Sequence, residues 1–251
     1  MNLEFIHSLN LFDEELLGLE KLENQGFNNI NYLLKTSKKS YIVRVFKSND
    51  SVNMSRKFEY EIQKKAYKKN IASKPIFLND DLIIYEYVKG THKTKLRNKD
   101  IKKLISKVKK YHKFKIKENP YNLKSDFLNY AKILKDDKSK IIIKESLKIL
   151  NKIRKNKKDF VLTHHDLNPK NILFQKNNIK IIDWEYAGIN NRFFDLASIC
   201  IEFKLKKKKE QLLLEYYFKK NYKYSNQKKL NNFKNIYSNL CYLWFEKANK
   251  L

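Results

Sequence analysis

The chain is poor in the residues that build special scaffolds. It has only two cysteines, Cys200 and Cys241, in 251 residues. That excludes a disulfide framework and leaves no Cys-x-x-Cys metal knuckle. Four glycines and three prolines exclude collagen-like and flexible-linker compositions. No apolar run approaches the ~20 residues of a membrane-spanning helix. The first residues, Met-Asn-Leu-Glu-Phe, offer neither a basic segment nor an apolar one of signal-peptide type, so a cytoplasmic, reduced protein is expected. Arginine is scarce as well: five arginines stand among 55 cationic residues, against 27 acidic ones, for a net charge of +28. Nucleic-acid readout and phosphate forks favour arginine over lysine. The excess of lysine therefore reads as compositional bias, and the run at 206–209 as a solvated helix face. No nucleic-acid partner is expected. A basic module binding nucleic acid or anionic lipid is the rival of another class, and it would need clustered arginines with exposed aromatics.

What is present suffices for a large core. Hydrophobic residues make up 42% and aromatics 14%, too much for a disordered chain. A chain of this length buries roughly 70–75% of its unfolded surface without help from metal or disulfides. The first ninety residues read as strands with one helix. Residues 17–23 and 31–35 alternate around a turn-forming segment, 24–29, and residues 40–46 are β-branched and aromatic apart from Arg44. Residues 53–69 have helical spacing, with Met54, Phe58, Ile62 and Ala66 on one face. Strand-like runs follow at 75–78 and 81–88. From residue 100 the pattern is mainly helical, with a strand–loop–strand insert at 160–184. A boundary near Lys89-Gly90 separates an N-terminal lobe, 1–90, from a C-terminal lobe, 91–251. The expected fold is α+β: a small antiparallel sheet with one helix, then a larger, mainly helical lobe.

The insert carries the polar clusters. His164-His165-Asp166 is followed by Asn171 in the pattern H-x-D-x4-N, and twelve residues later Asp183 ends an apolar run. Phosphoryl transfer from ATP needs a carboxylate at the attacking hydroxyl, plus oxygens that hold Mg²⁺ against the phosphates. Asp166 suits the first task. Asn171 and Asp183 suit the second, because Mg²⁺ takes few protein oxygens together with phosphate. The residues alone also allow turn formers between strands, or a zinc site at 164–166, although adjacent ligands rarely converge on one ion.

Residues 183–203, Asp-Trp-Glu-Tyr-Ala-Gly-Ile-Asn-Asn-Arg-Phe-Phe-Asp-Leu and onward to Glu202-Phe203, add a second signature. The pattern I-D-[FW]-E-Y, then N, then F-D-[IL], then Glu seven residues on, resembles the choline/ethanolamine kinase branch, LicA-type members included, of the aminoglycoside phosphotransferase superfamily. The resemblance runs from about residue 19 to 244. It implies a two-lobed protein-kinase-like fold and an ATP- and Mg²⁺-dependent kinase acting on the hydroxyl of choline or a related amino alcohol. Ethanolamine, thiamine, a sugar or an aminoglycoside are the alternative acceptors within that fold.

By the same resemblance Asp166 is the catalytic base and Asn171 and Asp183 are the metal ligands. Arg44 is the strand cation at the phosphates, and Glu59 its partner. Glu86 and Val88 belong to the adenine-binding hinge. Gly26 and Asn28 belong to a phosphate loop that lacks the G-x-G-x-x-G of protein kinases. Glu185, Tyr186, Glu202 and Trp244 would receive the cationic acceptor, with Tyr242 close by. A quaternary ammonium is recognised by aromatic faces and carboxylates. The family's paired tryptophans are here Trp244 alone, leaving Tyr216, Tyr217, Tyr237 or Phe245 as replacements. Asp195 reads as a helix N-cap that fixes the catalytic loop, and His164 as a structural histidine.

Overall fold

The computed structural model describes residues 1–23, 29–47, 55–153 and 156–249. Gly26, Asn28 and Met54 lie outside the described residues. The chain forms two compact units. One comprises Met1–His92 with Lys170–Ala187, the other Lys93–Pro169 with Gly188–Leu251.

The first unit is built on an antiparallel sheet of five strands. These are β1 (Leu16–Lys21), β2 (Asn29–Thr36), β3 (Ser40–Phe46), β4 (Pro75–Leu78) and β5 (Leu82–Glu86), in the order β1-β2-β3-β5-β4. Strand alternation sorts the faces. Leu34, Tyr41, Val43, Leu82 and Ile84 form a core that also takes Ile6 from the short helix α1 (Leu3–Ser8). Arg44 lies one residue out of phase with Val43, so β3 carries it on the opposite face. Because β3 is central and not an edge, Arg44 is buried.

Helix α2 (Arg56–Lys68) starts at Ser55, whose Oγ accepts the Phe58 N–H at 3.1 Å, an N-cap bond. Its buried stripe is Arg56, Glu59, Ile62, Gln63 and Ala66, and Phe58 is only half-buried. The apolar face expected from Phe58 is thus rotated: two charged residues head the buried stripe. They pair with each other, and their further partners lie on other elements, Glu185 being 129 residues from Arg56, which periodicity cannot show.

The hairpin β7 (Ile172–Phe174) and β8 (Ile179–Ile181) belongs to this unit. Thr91 and Phe174 exchange backbone hydrogen bonds of 3.0 and 2.9 Å, and the Ile181 N–H donates to the Ile71 carbonyl at 2.8 Å. Gly90 makes the approach possible. A Cβ there would lie 3.0 Å from Leu173 Cβ and 3.3 Å from the Phe174 carbonyl oxygen.

The second unit is mainly helical: α3 (Asn98–Tyr111), α4 (Leu123–Ile133), α5 (Asp137–Lys152), α6 (Phe193–Glu202), α7 (Lys207–Phe218) and α8 (Tyr224–Ala248). Helix α6, buried along most of its length, packs on α8, and α3 packs on α7. A two-stranded ribbon, β6 (Phe160–Thr163) with β9 (Gly188–Asn191), sits among them. Lys206, Lys207 and Lys208 are exposed at the start of α7, as expected of a solvated face, but Lys209 is half-buried and its Nζ donates to the Leu96 carbonyl at 2.6 Å. Among the described residues no helix is long and apolar enough to cross a membrane. The expected α+β class is what the structure has.

The Gly90 contact predicts that Gly90→Ala lowers unfolding free energy by about 1–3 kcal/mol, the usual range for overpacking. A Cβ on Gly18 would meet nothing within 4 Å, so Gly18→Ala should change stability little. Urea unfolding of the two variants checks the contrast.

Candidate active site

In the first unit, Arg44 on β3 sits between two carboxylates. Its Nη1 donates to Asp183 Oδ1 at 2.8 Å and to Glu59 Oε1 at 3.3 Å, and its Nε donates to Asn31 Oδ1 at 3.2 Å. Asn31 and Arg44 are direct cross-strand partners, so the β2–β3 register supplies that contact. Burial alone would lower the Arg44 pKa. Asp183, Tyr85, Glu59 and Glu185 outweigh it and hold the guanidinium well above its ordinary value. Burial pushes the Glu59 carboxyl up to about 7 against the pull of Arg44 and Arg56.

A second guanidinium completes the network. Arg56 Nη1 donates to Glu59 Oε2 and Glu185 Oε2, each at 3.1 Å, and Nη2 donates to Asn29 Oδ1 at 3.1 Å. Asn29 Nδ2 in turn donates to Glu185 Oε2 at 2.9 Å. Sequence reasoning named Arg44, Glu59, Asp183 and Glu185 but gave Arg56 no role. The available signal was its place in a chain whose cations are otherwise almost all lysine.

Asn171 and Asp183 flank one end of the β7–β8 hairpin. Ile172 pairs with Ile181, and the Ile182 N–H donates to the Asn171 carbonyl at 3.0 Å. Asp183 has φ +67°, a left-handed conformation uncommon outside glycine. The next residues anchor it: Trp184 is fully buried, and its Nε1 donates to the Ile181 carbonyl at 3.1 Å. Among the described residues no three His, Cys, Asp or Glu side chains cluster as a metal site. That speaks against zinc at 164–166. An amide and a carboxylate oxygen at one hairpin end remain a donor set that fits Mg²⁺, which keeps waters and substrate phosphates for its other positions.

Glu86 ends β5, where Lys39 Nζ donates to its Oε1 at 2.9 Å. The N–H of Tyr87, just past the strand's end, donates to the Ser40 carbonyl at 2.9 Å, and Val88 follows outside the strand, half-buried.

In the second unit, Asp166 is half-buried, and its Oδ1 accepts from Asn168 Nδ2 at 2.9 Å. His164 is fully buried, and its Nδ1 accepts the Asp166 N–H at 3.3 Å, a loop-internal role as expected. The N-cap reading of Asp195 needs correction. The α6 N-cap is Arg192, and Asp195 stands in the first turn. Its carboxylate reaches away from its own helix. It accepts the backbone N–H groups of His164 and His165 at 3.0 Å, the Tyr111 hydroxyl at 2.5 Å and His112 Nε2 at 3.0 Å. Asp195 therefore does fix the loop, but by holding its backbone directly. His165, at φ +70°, is the loop residue in the strained conformation. Burial would raise the Asp195 pKa, but the bonds from His112, Tyr111 and the loop outweigh it and hold it down to about 2. Burial pushes His112 down despite Asp195. The pair is thus an anion beside a neutral imidazole.

Glu202 ends α6 and accepts the Tyr237 hydroxyl at 2.9 Å. Burial raises its pKa, and the charge on Asp166 raises it further, which brings the two carboxylates within electrostatic reach. Of the proposed aromatic replacements, Tyr237 and Tyr217 are both buried, the first with its hydroxyl on Glu202, the second with its hydroxyl on His112 Nδ1 at 2.7 Å. Trp244 is half-buried on α8, edge-on to Phe245. Lys138 lies over the Tyr242 ring at 4.4 Å. Tyr186 is half-buried and, like Glu185, belongs to the first unit.

Solved structures share this fold. The choline kinase LicA from Streptococcus pneumoniae matches with a TM-score of 0.79 at 20% identity, over 98% of this chain and 89% of that one. A spectinomycin phosphotransferase in complex with ADP and spectinomycin matches at 0.71 and 16% identity, over 96% of this chain and 87% of the other. The fold is therefore the one these two solved kinases share. In sequence, Protein LicA of Haemophilus influenzae is 44% identical over 69 residues, which is 27% of this chain and only 20% of that protein. The family model for choline/ethanolamine kinase matches residues 19–242. The chain belongs to the choline/ethanolamine kinase family.

The pKa directions at Asp195 and His112 fix an acid response. Both folded values lie below the ordinary ones, so their contribution is complete above pH ~6.5. It declines as the unfolded His112 and then the unfolded Asp195 take up protons, and is gone near pH 2. Stability should fall from pH 7 to pH 3. Asp195→Asn should cost about 2–4 kcal/mol at pH 7, because loop N–H groups lose a charged acceptor. The variant should also show a flatter profile below pH 4. Urea unfolding across pH 3–7 provides the check.

Proposed function

We propose that the protein transfers the γ-phosphoryl group of ATP to the hydroxyl of choline or a related amino alcohol. The observation that carries this reading is the Arg44–Asp183 ion pair, 2.8 Å long, with Glu59 behind it. A turn-forming Asp after two isoleucines needs no buried guanidinium opposite it. A carboxylate that must face phosphate and metal does.

In this reading Glu86 and Val88 receive adenine, and Gly26 and Asn28 border the phosphates. Arg44 stays charged at any working pH and presents its fork to the phosphate oxygens. Glu59 limits where that fork can point. Asn171 and Asp183 supply the oxygens that would hold Mg²⁺, which when bound neutralises charge on the transferring phosphoryl group. Asp166 orients the acceptor hydroxyl and takes its proton as the oxygen attacks phosphorus and the bond to ADP breaks. His164 and Asp195 keep the loop backbone fixed, so Asp166 loses little entropy in reaching that geometry.

For the acceptor, this reading draws on the Glu202 carboxylate and on aromatic faces, the combination a cationic head requires, with Trp244 and Tyr186 as its aromatic candidates. Glu185 contributes charge from its buried pair.

Purified protein should consume ATP in the presence of choline, with ethanolamine and thiamine tested in parallel. Asp166→Ala should lower kcat by about 10²–10⁴-fold with an unchanged thermal midpoint. Turnover undiminished in that variant rejects the mechanism, and activity on ethanolamine or thiamine with none on choline rejects the acceptor.

A further inference from the structure

We infer that Arg56 is a positioning residue for the nucleotide–metal site: it fixes Asp183 through Glu185 and Arg44 through Glu59. The inference rests on the proposed role of Asp183 in holding Mg²⁺.

Arg56 occupies the first turn of α2, where a positive charge opposes the helix dipole. It is buried, and taking a guanidinium out of water is costly unless its donors are fully used. Neither the helix dipole nor burial favours a cation there. Its geometry does. One terminal nitrogen spans Glu59 and Glu185, the other reaches Asn29, and the guanidinium carbon lies 4.0 Å from the Phe46 ring centroid. Four separate stretches of the first unit meet on one planar group: α2, β2, the end of β3 and the segment after β8. Lysine, a point charge, cannot make this fork. The chain is otherwise so rich in lysine that an arginine at this place is informative.

The two carboxylates it holds are those whose freedom would spoil the site. Glu185 stands two residues beyond Asp183. Between them Trp184 is buried, and the Ala187 N–H closes back on the Trp184 carbonyl at 2.9 Å. Asp183 itself is held in a left-handed conformation, which persists only where its surroundings over-determine it. With Arg56 in place, Glu185 is tied down on one side of Asp183 and β8 on the other. Glu59 shares its two oxygens, Oε1 to Arg44 and Oε2 to Arg56. Without Arg56, Glu59 would be free to turn and draw Arg44 away from Asp183.

The test measures binding of a fluorescent N-methylanthraniloyl-ADP with and without Mg²⁺, on the full chain. Wild type should bind more tightly with Mg²⁺. Arg56→Lys keeps the charge and should keep the fold, checked by circular dichroism and thermal midpoint. It should lose most of the Mg²⁺ enhancement, at least fivefold. In turnover, KM for MgATP should rise about tenfold. A merely structural arginine would shift the thermal midpoint and leave the Mg²⁺ enhancement intact, and that result overturns the inference. So does restoration of the enhancement in the neutral pair Arg56→Met with Glu185→Gln, which would reduce Arg56 to a compensating charge. If wild type shows no Mg²⁺ enhancement at all, the role of Asp183 fails first and this inference with it.

Discussion

One buried guanidinium, Arg44, shared between Glu59 and Asp183, is the constraint on which the first unit's chemistry depends. Burying charges costs about as much as their attraction returns, so such a group is weak evidence of stability. Its worth lies in position. Arg44 and Arg56 face three carboxylates, Glu59, Asp183 and Glu185. The raised Glu59 pKa follows from this: burial and neighbouring carboxylates press on a group that two arginines only partly satisfy.

The second unit solves a different problem by the same means. A loop with a left-handed His165 cannot hold itself. Asp195, fully buried, takes the loop's backbone N–H groups on one carboxylate, and Tyr111 and His112 hold that carboxylate in turn. The result is a loop anchored from the helix behind it, leaving Asp166 half-exposed. Buried polar networks of this kind add rigidity when every member is satisfied.

Much of this was legible in the amino-acid order. The β-branched and aromatic run at Ser40–Phe46 became β3 with the expected bounds, and Pro75–Leu78 became β4. The spacing of His164, Asp166, Asn171 and Asp183 picked out the residues on which the proposed chemistry rests. Other features were hidden for physical reasons. The buried face of α2 begins with Arg56 and Glu59, and a hydrophobic pattern reads charged residues as exposed. Their partners are up to 129 residues away, beyond any local window. Asp195 looked like a helix cap because Asp favours that place, but its acceptors are engaged by a loop thirty residues earlier. The β6–β9 pairing likewise joins segments that no short pattern connects.

The most direct measurement is a calorimetric titration of ADP with excess Mg²⁺ into the purified wild-type protein and into Asp183→Asn. That substitution keeps shape and removes the charge that Arg44 and the metal share. The account predicts clear binding to wild type and at least tenfold weaker binding to the variant, with the difference vanishing when Mg²⁺ is withheld. Equal affinity of the two proteins in the presence of Mg²⁺ would contradict it.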